Sequence, residues 1–90
     1  MTSYEKAIEH FSKAIELSPD FVMPYIYRGE VYYKMGKFDL AIADFTQAIF
    51  WTNQPARAYR GRAMAHNGKG DIDKAMQDFT RAMNAENRRR

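Results

Sequence analysis

The sequence predicts an all-α fold, a solenoid of antiparallel helix-turn-helix units, and three features of its pattern indicate this. The chain matches itself after a shift of 34 residues, which indicates stacked units of one kind. Within each unit, apolar residues recur at the three- and four-residue spacing of amphipathic helices. Pro19, Gly36, Pro55 and Gly70 fall between these segments, where helices end or begin. The predicted helices are residues 4–17, 22–35, 38–51, 56–68 and 72–85.

The self-match also sets the unit boundaries within a single domain, residues 1–90. An alanine, a phenylalanine and a second alanine recur at fixed spacing in three copies: Ala7, Phe11, Ala14; Ala41, Phe45, Ala48; and Ala75, Phe79, Ala82. Residues 4–20 hold one helix, a half repeat. Two helices each are predicted for residues 21–54 and 55–87, and residues 88–90 form a basic tail.

Each helix has a local reason to begin and end. Pro19 separates the first helix from the second, because proline does not continue a helix. Gly36 ends the second helix and Gly70 the fourth, since glycine adopts the left-handed conformation that follows a helix. Asp39 and Asp71 stand where the third and fifth helices begin, and a carboxylate there interacts favourably with the helix dipole.

This pattern resembles the tetratricopeptide repeat (TPR) family, whose unit has an aromatic, a small residue and an aromatic on helix A. Helix B of the family carries an alanine, an aromatic and a second alanine. The matching residues are Tyr25, Gly29, Tyr32, Ala41, Phe45 and Ala48 in the second unit, and Tyr59, Ala63, Ala75, Phe79 and Ala82 in the third. His66 replaces the second aromatic of helix A, and Asn53 and Asn87 replace the closing proline. The resemblance implies about 2.5 units in a right-handed superhelix.

The resemblance also implies a non-enzymatic protein-protein interaction module. In the family, a concave groove lined by the A helices holds a peptide or helix of a partner protein. The positions that would face this groove are Met23, Ile26, Tyr27, Glu30, Tyr33, Lys34, Arg57, Arg60, Met64 and Asn67. Family members that bind acidic chaperone tails have a lysine and an asparagine where this chain has Ile26 and Glu30, so such binding is not expected.

Two arginines of the predicted groove suggest the charge of the partner. Arg57 and Arg60 are one helical turn apart, so both side chains can reach one partner. Guanidinium groups bind carboxylates in a bidentate manner, which predicts a partner with acidic groups. The alternative is that these arginines are solvated or pair with acids of the neighbouring helix.

A second hypothesis is self-assembly through the ends of the array. The first helix lacks its helix A, and no further helix is predicted to cover the last one. Apolar side chains on both end helices would then be exposed, which favours a homodimer or larger homo-oligomer. They are Tyr4, Ile8, Phe11, Ile15, Ile72, Met76, Phe79 and Met83.

Charge argues against a nucleic-acid partner. The net charge is +3, but the last three residues are arginines, and the rest of the chain is neutral. Residues 1–55 carry a net charge of −2 and residues 56–90 a net charge of +5. The basic side chains are therefore confined to one end, where they suit an acidic protein surface.

Composition removes other classes of function. The chain has no cysteine, which excludes disulfides, thiolate metal sites and thiol catalysis. No apolar run is long enough to span a membrane, and no membrane partner is expected. No catalytic, cofactor-binding or metal-binding motif is present, so no enzyme activity or cofactor is expected. The absence of cysteine and of a signal peptide favours a cytoplasmic location.

Overall fold

Five α-helices account for most of residues 1–88, the part of the chain that the computed structural model describes. They are α1 (Ser3–Leu17), α2 (Val22–Lys34), α3 (Phe38–Trp51), α4 (Ala56–Gly68) and α5 (Ile72–Arg88). The predicted all-α fold of five helices is confirmed. The largest difference is at the end of α5, which continues through Arg88 because no glycine or proline interrupts it. Arg89 and Arg90, the rest of the predicted basic tail, lie outside the described residues.

The helix ends follow from local hydrogen bonds. Thr2 and Glu5 form a capping box at the start of α1, in which Thr2 Oγ1 accepts from the Glu5 amide at 3.1 Å. Gly36 and Gly70 have φ angles of +75° and +87°, so the chain leaves α2 and α4 through the left-handed conformation, as predicted. The turns are therefore encoded within a few residues of where they occur.

Helix packing follows the order of the chain. Each helix contacts the next one, and among the described residues α2 and α4 are the additional pair in contact. The A helices, α2 and α4, therefore lie side by side on one face. The B helices, α1, α3 and α5, occupy the other face, where they do not contact one another.

Phe45 on α3 fills the space between the two A helices. Its side chain is 1% exposed, and Ala41 and Ala48 on the same helix are fully buried beside it. A Cβ atom added to Gly29 on α2 would lie 3.0 Å from the Phe45 ring, and one on Gly61 of α4 would lie 2.6 Å from it. A side chain at either position would therefore meet the Phe45 ring, most closely at Gly61.

Two buried carboxylates link the helices, one in each full unit. Asp44 accepts from Nε and Nη2 of Arg28, at 2.8 Å and 2.7 Å. Asp78 accepts the equivalent pair from Arg62, at 2.7 Å and 2.9 Å. The guanidinium groups of Arg28 and Arg62 are largely buried, and an aspartate lies opposite each of them.

Candidate functional site

The groove between α2 and α4 contains a cavity of about 340 Å³. Tyr33 and Met64 form apolar walls, and Phe45 lies at the base. Its full lining is Glu30, Tyr33, Lys34, Phe45, Arg57, Arg60, Gly61 and Met64. Three of these residues are basic and one is acidic, so the cavity combines apolar surface with a net positive charge.

The cavity brings together six of the ten residues predicted to face the groove: Glu30, Tyr33, Lys34, Arg57, Arg60 and Met64. Tyr27 is exposed on α2 beside them, and Asn67 is exposed near the end of α4. Met23 is half-buried and packs against the core. Ile26 is 4% exposed and lies in the core, so its side chain is not available to a partner. The reason is that α2 packs against α1, α3 and α4, which leaves it only a narrow exposed face.

Arg57 is held in place by two groups from α2. Its Nε and Nη2 donate to the two carboxylate oxygens of Glu30, at 3.0 Å and 2.9 Å. Its guanidinium carbon also lies 5.5 Å from the centre of the Tyr27 ring, a cation–π distance. The hydrogen bond to Glu30 raises the pKa of Arg57 above its ordinary value, so the group stays charged. Arg57 is thus a fixed cation at the rim of the groove.

Arg60 bridges α4 and α5. Its Nη1 donates to Glu86 Oε1 at 2.9 Å. The side chains of both ion pairs in the groove, Arg57–Glu30 and Arg60–Glu86, are at least one-third exposed. The structure therefore has both arginines paired with acids of neighbouring helices, the alternative raised from the sequence. Because exposed ion pairs contribute only about 0–1 kcal/mol, a partner carboxylate can replace either glutamate at low cost.

Sequence reasoning missed Glu86 and the buried pair Asp44 and Asp78. Glu86 lies on a B helix, whereas the groove was assigned to A helices alone. For the aspartates a signal was present, since Asp-Phe-Thr recurs at residues 44–46 and 78–80 with an arginine 16 residues before each aspartate. A polar residue repeated within an apolar stripe indicates a buried partner.

The residues predicted for self-association differ between the two ends. On α5, Ile72, Met76, Phe79 and Met83 are all exposed. On α1, Tyr4 is exposed, but Ile8, Phe11 and Ile15 are half-buried. Phe11 contacts the Tyr27 ring at 5.4 Å, and Ile15 packs against the core, because α2 covers this face of α1. Of the apolar side chains predicted for self-association, those on α5 are therefore the more exposed.

His66 on α4 stands where the preceding unit has Tyr32. The imidazole is half-buried, and its buried Nδ1 has no hydrogen-bond partner among the described residues. Its Nε2 lies 3.8 Å from Asp78 Oδ2, which is beyond hydrogen-bond distance. Burial lowers the pKa of His66 below its ordinary value, although the charge of Asp78 acts in the opposite direction.

We expect His66→Tyr to stabilise the protein and to reduce its sensitivity to mild acid. The folded state favours the neutral imidazole, so as the pH falls His66 is protonated in the unfolded chain before it is protonated in the folded one. Stability should therefore fall as pH decreases below about 6.5, the ordinary histidine pKa. At neutral pH the substitution should add about 1 kcal/mol, because it removes an unsatisfied buried nitrogen.

Urea denaturation of the wild type and the His66→Tyr variant measures the pH dependence of stability. A range of about pH 5 to pH 7.5 spans the ordinary histidine pKa. His10→Tyr is the matched control, since His10 is exposed on α1. An unchanged pH dependence in the His66 variant would contradict the assignment.

Other chemistries find no support in the described part of the chain. No group of three or more His, Cys, Asp or Glu side chains is placed to hold a metal ion within residues 1–88. None of the five described helices is both long and apolar enough to cross a membrane. The groove between α2 and α4 is the candidate functional site.

The paired helices and the groove between them define a helical repeat protein. A family model described as "Tetratricopeptide repeat" matches residues 27–87, and another described as "TPR repeat" matches residues 3–36. The chain belongs to the tetratricopeptide repeat family. Members of this family are typically non-enzymatic modules for protein interaction, which is also what the resemblance implied.

Solved structures agree with this fold. Two structures of MamA superpose with TM-scores of 0.91 and 0.89, at 31% and 32% identity over 96% and 93% of this chain. The chain spans 50% and 46% of those MamA chains. The second TPR of Spaghetti (RPAP3), bound to the HSP90 peptide SRMEEVD, superposes with a TM-score of 0.85 at 30% identity. That match covers 89% of this chain and 74% of the RPAP3 chain.

One curated protein has local similarity. The UDP-N-acetylglucosamine–peptide N-acetylglucosaminyltransferase of Giardia intestinalis (strain ATCC 50803 / WB clone C6) is 42% identical over 41 residues. The match covers 46% of this chain and 3% of the transferase. A match to so small a share of the transferase carries no argument for its activity here.

Proposed function

We propose that the groove between α2 and α4 binds an acidic segment of a partner protein. The observation that carries this proposal is the composition of the cavity, in which Tyr33 and Met64 offer apolar contact and Lys34, Arg57 and Arg60 offer positive charge. Aromatic, methionine and arginine side chains are enriched in protein interfaces. A peptide with a carboxylate beside an apolar side chain would satisfy both features.

A structural neighbour supports a peptide as the partner. The RPAP3 domain is bound to the peptide SRMEEVD, which contains three acidic residues and a methionine. This chain lacks the lysine and asparagine of the family's carboxylate clamp, so we expect a different acidic sequence. Arg57 and Arg60 lie on the second A helix and supply the positive charge from another position.

Selection of peptides from a phage-displayed library against residues 1–90 tests the proposal. Enriched peptides should contain glutamate or aspartate next to an apolar residue. For such a peptide, Arg57→Ala and Arg60→Ala should each weaken binding about tenfold, since a hydrogen bond to a charged group contributes about 1.5–3 kcal/mol. Tyr33→Ala should weaken binding through loss of apolar contact.

Two further variants make the test specific. Glu30→Gln removes the carboxylate that competes for Arg57, so it should strengthen binding, an effect that misfolding does not produce. Lys13→Ala removes an exposed charge on α1, outside the groove, and should leave affinity unchanged. Enrichment of peptides without acidic residues would exclude the proposed chemistry.

Self-assembly through the helix ends is the alternative function. The four exposed apolar side chains of α5 favour it, whereas the half-buried residues of α1 do not. Sedimentation of the wild type and of the groove variants distinguishes the two functions, because the groove variants should weaken peptide binding without changing the sedimenting mass. If substitutions at Phe11 or Phe79 change the sedimenting mass while groove variants have no effect on partner binding, assembly through the ends is the main role.

A further inference from the structure

The exposed face of α5 repeats a surface that α4 covers one unit earlier. Each apolar residue of this face has a counterpart 34 positions before it on α3. Phe79 corresponds to Phe45, and Ile72 corresponds to Phe38. Phe45 is 1% exposed, whereas Phe79 is 39% exposed. The difference arises because no helix within residues 1–88 lies on α5 as α4 lies on α3.

The contact between α4 and α3 has a defined register. Gly61 faces the Phe45 ring and Gly68 faces the Phe38 ring, each so closely that an added Cβ would lie 2.6 Å from the ring. The residue after each glycine makes a polar contact with the same helix. Arg62 Nη1 donates to Thr46 Oγ1 at 3.2 Å. Lys69 Nζ donates to Asp39 Oδ1 at 2.6 Å.

Helix α2 contacts α1 in the same register. Arg28 Nη1 donates to Ser12 Oγ at 3.0 Å, as Arg62 does to Thr46. Tyr27, the residue before Arg28, contacts the Phe11 ring, as Gly61 contacts Phe45. The hydroxyl on the B helix and the arginine on the following A helix are therefore a repeated pair in this protein.

Helix α5 carries the third copy of the B-helix side. Thr80 corresponds to Thr46 and Asp73 to Asp39. Thr46 Oγ1 donates to the carbonyl of Ile42, and Thr80 Oγ1 donates likewise to the carbonyl of Met76, at 2.7 Å and 2.9 Å. The Thr80 hydroxyl thus has the same backbone contact as Thr46. No arginine of residues 1–88 donates to Thr80.

We propose that the face of α5 formed by Ile72, Met76, Phe79 and Met83 binds a helix of a partner protein. That helix carries a small residue followed by arginine. Seven residues after this small residue it carries a second small residue, which is followed by lysine. The small residues lie on Phe79 and Ile72, the arginine donates to Thr80, and the lysine pairs with Asp73. This interface continues the one between α3 and α4, and it is independent of the groove proposal.

A second copy of the chain does not offer such a helix in its folded form. The helices with the required arginine are α2 and α4, and both already use that arginine on their own α1 and α3. A helix from outside residues 1–88 is the occupant that reproduces the register. Homodimerisation through α5 is therefore an outcome that contradicts the proposal.

A peptide with the sequence of residues 55–70 is a suitable probe, because α4 itself has the required pattern. A lactam bridge between the positions of Arg60 and Met64, both exposed on α4, keeps the peptide helical without touching the contact face. We expect the peptide to bind the full chain saturably. NMR measures this binding through chemical shifts that change along α5. Met76→Lys should abolish binding, and Thr80→Val should weaken it about tenfold.

The arginine–threonine contact is tested by a double-mutant cycle. A peptide with leucine at the position of Arg62 should bind the wild type about tenfold more weakly, with no further loss on Thr80→Val. Gln77→Ala on α5 is the matched control, and Tyr33→Ala tests independence from the groove; both should keep the wild-type affinity. If the chemical shifts of α5 do not change at peptide concentrations up to about 1 mM, the dissociation constant lies above this range and the proposal is wrong. Additive effects of the two changes, or a wild-type dimer that Met76→Lys dissociates, would also overturn the proposal.

Discussion

Phe45→Ala should reduce the free energy of unfolding by about 3–5 kcal/mol, the usual cost of removing a buried phenylalanine. The ring lies between Gly29 and Gly61, so its loss leaves a space that two helix backbones line and cannot readily close. Stability of a small domain is about 5–15 kcal/mol, so the variant should be only marginally folded. Urea denaturation followed by far-UV circular dichroism measures the change.

Phe79→Ala is the matched control, because Phe79 is the same residue one repeat later. It is exposed on α5, and no helix within residues 1–88 covers its outer side. We expect it to cost about 1 kcal/mol, since much of the ring is in water already in the folded state. Equal losses for the two phenylalanines would mean that α5 is covered to the same extent as α3.

Asp78→Ala should cost about 3–5 kcal/mol, because it leaves the largely buried guanidinium of Arg62 without its carboxylate. Asp78 is 1% exposed and also accepts from Arg81 at 2.8 Å. Burial opposes ionisation of Asp78, but the hydrogen bonds from Arg62 and Arg81 outweigh it and lower its pKa. The carboxylate therefore stays charged in the folded protein, and its removal is costly.

Two further variants test whether the cost of losing Asp78 arises because the ion pair between Arg62 and Asp78 is buried. Glu30→Ala breaks an exposed ion pair with Arg57 and should cost at most about 1 kcal/mol. The double variant Arg62→Met, Asp78→Leu replaces both charges by apolar side chains and should recover most of the loss. If Asp78→Ala costs no more than Glu30→Ala, the interpretation of Asp78 as a buried structural carboxylate is wrong. Urea denaturation at neutral pH provides all four free energies.

The recurrence of arginine at positions 28 and 62, once in each full unit, has a structural explanation. Arg28 and Arg62 each join three helices, since each binds an aspartate on the following helix and a hydroxyl on the preceding one. Such contacts fix the spacing of the helices. Within residues 1–88, the exposed face of α5 has no arginine that makes the equivalent contact with Thr80. The same observation therefore explains stability within the array and motivates the proposal for Thr80.

The sequence by itself determined the helices, the repeat and the family. These depend on short-range features, such as the spacing of apolar residues and the glycines at positions 36 and 70, which act within a few residues of where they stand. The 34-residue self-match then placed equivalent residues, and Arg57, Arg60 and Met64 of the groove positions on α4 line the cavity. Their contact with a partner stays a prediction. The predicted extent of the domain and the handedness of the superhelix stay predictions.

Only the tertiary structure decided which side chains are free. The family resemblance placed Ile26 at the groove, yet it is buried because three helices surround α2. The sequence left open whether Arg57 and Arg60 are free for a partner's acids or pair with acids of a neighbouring helix. In the structure they bind Glu30 and Glu86, which are 27 and 26 residues distant in the chain. The physical reason is that helical periodicity specifies a direction around one axis, whereas burial and ion pairing depend on how many other helices pack against that axis.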